Sequence, residues 1–323
     1  MEEQNKTKKF FNAKKIISWG GSLLMIVSFI FIAQRFRDYG MDFSWLTSPT
    51  IVLGLLAVAV GEGMAMVAAS LNFRAILKNV SGITVKRPLA MVVYLMSNLY
   101  KYIPGGVMYV AGRHKIVVET KGLTHPKMIF ATIFEGALFV IATVVVALTL
   151  SFDYSLSYLR VQIEDNSDFL PILMLIVGLV FLAVIIPIYI FRKKIGDKLK
   201  KFWESVEILK PSVIIKRFSF ALLIMFLWGT TFMLTLWFLG QPMSISLMSA
   251  IIGLYLLSWL AGFLTPGAPS GFGIREAVMM MFLTGLVYYD ILLAALIVHR
   301  VVTMAGDIFG YLIGLGYSKI AKS

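Results

Sequence analysis

The sequence predicts an all-α polytopic membrane protein. Two observations carry this: apolar runs of about 20 residues, the length that crosses a bilayer, and Lys/Arg confined to alternate connecting segments. Of 323 residues, 59% are hydrophobic and 15% charged, a balance that leaves no room for a large soluble domain. The net charge of +13 is spread among the connections rather than gathered into a nucleic-acid face, so nucleic acid is not an expected partner. With no cysteine, disulfide and thiolate chemistry are excluded.

Long apolar spans fall at 16–33, 50–70, 128–150, 170–191, 218–239 and 291–316, six in all. The first follows a basic start but is long, lacks a small-residue cleavage pattern and reads as an uncleaved span. Two further stretches are interrupted: 88–118 at Pro104-Gly105-Gly106, and 244–289 at Pro266-Gly267. The segments 1–15, 71–87, 111–127, 192–217 and 317–323 hold 24 of the 30 Lys/Arg. Placed in the cytoplasm by the positive-inside rule, they put both termini inside a cytoplasmic membrane. They also make 88–118 a hairpin entering from within and 244–289 one entering from outside. The segments 34–49 and 151–169 become external connections.

Each half then reads span, span, broken hairpin, span, with opposite starting sides. Arg113 follows Pro104 by nine residues, and Arg275 follows Pro266 by the same spacing. The chain is expected to be one membrane domain, 1–323, made of an inverted-topology repeat over 16–150 and 170–316, an architecture of transporters. The loop 192–217 aligns Ile195, Leu199, Phe202 and Val206 on one stripe with lysines elsewhere. It reads as a basic amphipathic helix on the cytoplasmic leaflet, or as a loop that fixes orientation.

The second break is the leading candidate site. Irregular backbone and charge at membrane depth are tolerated only inside protein or beside a wet cavity. Here Pro266, Gly271 and Gly273 interrupt the helix, and Arg275-Glu276 open the next one. Arg275 beside a helix N-terminus suits an anion such as a phosphate; the alternative is a charge pair that locks the break. Arg113 would be its counterpart in the first half, with Lys101 just before Pro104. In the last span Arg300 and Asp307 share a face and should each meet the second broken hairpin, with Glu276 and Arg275 as partners. Glu62 and Glu135 lie within spans beside glycine and should face the interior, each needing a cation: a protein Arg, a lipid amine or a proton. Ala57, Gly61, Ala65 and Ala69, and Gly306, Gly310 and Gly314, recur every four residues as close packing faces, leaving homo-oligomerisation open. No nucleotide-binding or metal-ligand motif is present, so no cofactor is expected.

These residues carry a resemblance. Pro269-Ser270-Gly271-Phe272-Gly273-Ile274-Arg275-Glu276-Ala277 resembles the PGGxGxREA signature of the lysylphosphatidylglycerol synthase transmembrane-region family, the flippase-like domain. Lys101-Tyr102-Ile103-Pro104-Gly105-Gly106 with Gly112-Arg113 is similar to that family's KYxPG...GR segment, and Arg300 with Gly306-Asp307 to its ending. Ser270 stands where the family has a glycine. The family's best-known members join this domain to a soluble aminoacyl-transferase domain, and this chain is expected to be a stand-alone member without it. The resemblance implies translocation or binding of a phospholipid, aminoacylated phosphatidylglycerol or another phosphate-bearing lipid, rather than its synthesis. Anionic or phosphate-bearing membrane lipids are the expected partners. Two alternatives remain open. One is an intramembrane enzyme acting on a lipid-linked phosphate or sugar. The other is a non-catalytic partner of a separate lipid synthase, docking through Arg192, Lys193, Lys194, Lys198, Lys200 and Lys201.

Overall fold

A computed structural model describes residues 48–102, 112–165, 209–265 and 269–321. The expected spans at 16–33 and 170–191, most of the basic loop, and the break residues Pro104 and Pro266 lie outside the described residues. What is described is helical throughout. Five helices are long and apolar enough to cross a membrane, so the chain is an all-α multi-pass membrane protein.

Helix α1 (Pro49–Ser81) starts on a proline, whose missing N–H costs nothing in a first turn, and ends at Gly82, φ 72°, whose N–H returns to the Lys78 carbonyl. Helix α2 (Arg87–Leu99) runs into a 3₁₀ turn, Tyr100–Tyr102, and the chain resumes with a short α3 (His114–Glu119). Helix α4 (His125–Asp165) follows. In the second half α5 (Pro211–Phe238) also opens on proline, and α6 (Ile245–Leu264) is capped by Ser244, whose Oγ accepts the Leu247 N–H at 3.1 Å. A 3₁₀ turn, Pro269–Gly271, leads into α7 (Ile274–Leu283), and α8 (Tyr289–Ile320) completes the described chain.

Two expectations need correction. The external connection at 151–169 is helical as far as Asp165, because no Gly or Pro between Ala137 and Asp165 gives the helix a reason to stop. Also, α6 is no half-length arm. Its 20 residues qualify as a span, whereas α7 has 10, about 15 Å of helix. The second broken stretch is thus a full-length helix and a short one folded back on it. The reversal is tight: a Cβ on Gly262 of α6 would lie 3.1 Å from the Gly271 Cα. In the first half, Gly112 returns equally close to Ser97 and Tyr100.

The two halves are packed alike. α1 lies against α8 as α5 does against α4; α6 lies against α4 as α2 does against α8. The pairs α1–α2 and α5–α6, α1–α4 and α5–α8, α2–α3 and α6–α7, and α3–α4 and α7–α8 correspond in the same way. Exchanging the halves leaves this set of contacts unchanged. Two contacts map onto themselves: α1 with α5, and one 3₁₀ turn with the other. α1 and α5 run antiparallel, since Gly54 abuts Phe238, Glu62 meets Thr231, and Asn72 accepts from Arg217 at 3.0 Å. Counterparts that run in opposite directions are the mark of inversion, with the pseudo-two-fold axis across the helices. Pro49 and Pro211 also stand as far apart in sequence as Arg113 and Arg275. The 3₁₀ turns that flank the two breaks therefore meet each other.

The outer surfaces of the spans are apolar, with Leu53, Leu56, Ile133, Leu223, Val301 and Leu312 all exposed. That surface belongs in hydrocarbon.

Candidate functional site

The polar interior is divided into two groups. The first is closed. Arg113, at the start of α3, bonds Glu135 of α4 at 2.9 Å and Thr132 at 3.3 Å. Its guanidinium lies 4.2 Å from the Phe73 ring centroid and 4.4 Å from that of Tyr94, while the Tyr94 hydroxyl donates to the other Glu135 oxygen at 3.0 Å. Burying such a pair costs desolvation that geometry and added hydrogen bonds must offset, and here aromatic faces and two hydroxyls do so. Arg113 and Glu135 join α3 to α4 and leave no charge seeking a ligand.

The second group gathers where the breaks meet. Ser270 (φ 52°), Gly271 (φ 66°) and Gly273 (φ 86°) take left-handed conformations that turn the chain from α6 into α7. Gly271 has no room for a Cβ, which would sit 2.7 Å from the Gly262 Cα. This close approach lays the Arg275 stem across Gly262. The Glu276 carboxylate caps its own helix, accepting the Gly273 N–H at 2.6 Å. A carboxylate already holds the helix N-terminus, so the anion site expected of the α7 amides reduces to Arg275 itself.

Both expected residues of the last span reach a break, though not the same one. Arg300 of α8 bonds the Glu276 carboxylate, and it donates to the Ser270 and Gly271 carbonyls at 3.2 and 3.5 Å. It locks the second break. Asp307 does not meet Arg275. It accepts from three residues of the first half: Lys101 at 2.7 Å, Asn98 at 2.8 Å and the Tyr102 hydroxyl. The reason is length: seven residues carry α8 about 10 Å along its axis, from one break to the other.

Two charges are left over. Among the described residues Arg275 has no carboxylate within salt-bridge distance. Its Nη2 donates to the Tyr255 hydroxyl, its guanidinium stands 5.2 Å from the Tyr255 ring centroid, and its Nε is buried without an acceptor. Glu62 of α1, only 6% exposed, accepts a 3.4 Å bond from Thr231 and has no cation of its own. Arg275, Lys101 and Asp307 all lie within electrostatic reach of it. Counted together, Lys101, Arg275 and Arg300 balance Glu62, Glu276 and Asp307. The cluster is neutral, yet one cation and one carboxylate in it are unpaired.

Tyr255, His299, Thr235 and Thr231 complete the site. Tyr255 accepts from Arg275 and contacts His299 Nε2 at 3.0 Å; His299 Nδ1 contacts Thr235 Oγ1 at 3.1 Å, and Thr235 donates to the Thr231 carbonyl at 2.8 Å. With the imidazole proton on Nδ1, every member of this chain donates forward. Tyr255 and Gly262 lie in an unbroken apolar run whose period gives no sign of them. Among the described residues no group of His, Asp and Glu is arranged to hold a metal ion. No family model and no curated protein matches this chain.

Proposed function

We propose that the protein binds a phosphate-bearing membrane lipid at the junction of the two breaks and carries its headgroup across the membrane. One observation carries the reading: Arg275 is a half-buried guanidinium held at a helix break, with no carboxylate within salt-bridge distance among the described residues. An unpaired cation at membrane depth is costly, by about 2.5–3.5 kcal/mol on insertion scales, and a phosphate is the planar-fork partner it lacks. The setting adds support. Inverted halves with broken helices meeting at mid-depth are how many transporters present a site to both sides in turn. The resemblance of 269–277 to a flippase-like signature points the same way. In this reading the Lys/Arg-rich connections face the cytoplasm, and aminoacylated phosphatidylglycerol is one candidate substrate among phosphate-bearing lipids.

The test is lipid scrambling in liposomes containing purified protein and headgroup-labelled anionic, zwitterionic and lysyl-modified lipids. Wild type should move at least one phosphate-bearing lipid across the bilayer, and Arg275→Ala should reduce that rate tenfold or more. If wild type moves no lipid, or Arg275→Ala moves it equally well, the reading fails. Release of the headgroup instead of its movement would assign the site to the intramembrane enzyme.

A further inference from the structure

We propose that Glu62 is a proton-coupling site: an anionic lipid phosphate docks at Arg275 together with one proton taken up by the Glu62 carboxylate. The inference deepens the lipid-binding reading and rests on it. The cluster is neutral as it stands, with three cations against three carboxylates. A phosphodiester brought to Arg275 adds one negative charge to a buried, low-dielectric region, where an uncompensated charge is expensive. Something must enter with it or be given up.

The geometry selects the group that responds. Glu276 is committed to Arg300 and to the Gly273 N–H, and Asp307 to Lys101, Asn98 and Tyr102. Glu62 alone of the three has only a long hydroxyl contact. The groups within electrostatic reach of it, and the hydroxyl that bonds it, can be named by element. Lys101 and Tyr102 come from the first break, Arg275 from α7, Tyr255 from α6, Asp307 from α8 and the Thr231 hydroxyl from α5. The buried carboxylate of α4, Glu135, is turned to Arg113. Lys101 is held by Asp307, and Arg275 is the cation that the lipid would neutralise. Once it is neutralised, Glu62 faces Asp307 with no free cation nearby, and protonation removes the repulsion.

A proton suits the space better than an ammonium group of the lipid. Glu62 is wedged at the closest approach of α1 and α8: its Cβ and Cγ would lie 2.7 and 2.8 Å from a Cβ placed on Gly306. Thr231 covers one carboxylate oxygen from the opposite side. The atom balance is simple. The carboxylate and a water-derived proton give the neutral acid as the phosphodiester docks, and the reverse occurs on release. Lipid anion and proton then cross as an uncharged pair. By linkage, lipid affinity and proton affinity rise together.

The experiment titrates purified wild type, in weakly buffered detergent solution, with short-chain phosphatidylglycerol, reading lipid binding and proton uptake together. We expect about one proton per lipid bound, and affinity falling about tenfold per pH unit on the alkaline side of the transition. Glu62→Gln should take up none and bind at all pH values with the affinity wild type reaches only at low pH. Lipid bound by wild type with no proton uptake overturns the coupling and leaves the lipid site standing. Strong preference for a short-chain phosphatidylethanolamine, again without protons, would place the lipid's own ammonium at Glu62 and also overturns it. Absence of binding by any phospholipid removes both proposals.

Discussion

Arg113 and Arg275 share a position after their breaks and differ in everything around them. Arg113 sits between two aromatic rings and is met by Glu135; Arg275 touches a tyrosine hydroxyl and no carboxylate. The mutational consequences separate accordingly. Glu135→Ala strands a buried guanidinium and should destabilise the protein by about 3–5 kcal/mol, read as a lower thermal midpoint in detergent. Arg275→Ala removes a charge that has no direct carboxylate partner among the described residues and should lower that midpoint less than Glu135→Ala does. Ser270 offers a gain instead. Its left-handed φ of 52° costs a residue with a Cβ roughly 1 kcal/mol, so Ser270→Gly should raise the midpoint modestly. The importance of 270–276 was legible in sequence because Pro, Gly and charge interrupt an apolar run. The fate of each charge was not, since a carboxylate's partner is chosen by packing.

At the scale of elements, the α1–α8 contact shows how a periodic pattern can mislead by drifting steadily around the helix. A four-residue stripe drifts about 40° each step, so Ala57, Gly61, Ala65 and Ala69 wind from the outer face to the inner. Gly61 meets nothing within 4 Å. The glycine in the seam is Gly63, where a Cβ would lie 2.6 Å from the Gly306 carbonyl oxygen, and Gly310 packs on Gly63 in turn. Gly63→Ala should therefore cost about 1–3 kcal/mol through overpacking, while Gly61→Ala should be neutral, both read from thermal unfolding. On α8 the stripe Gly306, Gly310 and Gly314 serves two partners, because Gly314 faces Val92 and Leu95 of α2. Helix lengths were less legible. α4 outruns its apolar segment since hydropathy marks where a membrane ends and says nothing of where a helix does.

The whole molecule repeats its packing more faithfully than its chemistry. Matching prolines and arginines suggest two halves, and the major helix contacts pair off under their exchange. What the sequence could not show is which charges cross between halves, because Lys101 and Asp307 lie more than two hundred residues apart in the chain. The antiparallel arrangement of α1 and α5 can be checked directly, as the chain has no cysteine of its own. Asn72→Cys with Arg217→Cys should be joined by a short bifunctional thiol reagent that spans the length of the arginine side chain, and Asn72→Cys with Phe238→Cys should not. The cross-links that tie each returning segment to the last helix of its half also differ in sign: Arg on the break and Glu on α4, then Glu on the break and Arg on α8. The interior is symmetric in shape and asymmetric in charge.

Helix α8 is fastened at Arg300 to one break and at Asp307 to the other. Mechanically it is a tie-rod with two pins set in opposite halves. A rigid rod so pinned ties the turn before α7 to the turn after α2, so that neither shifts without the other. Cutting either pin should therefore do more than loosen one joint. In the carrier proposed above, it would let the two turns move independently, and the expected result is a leak.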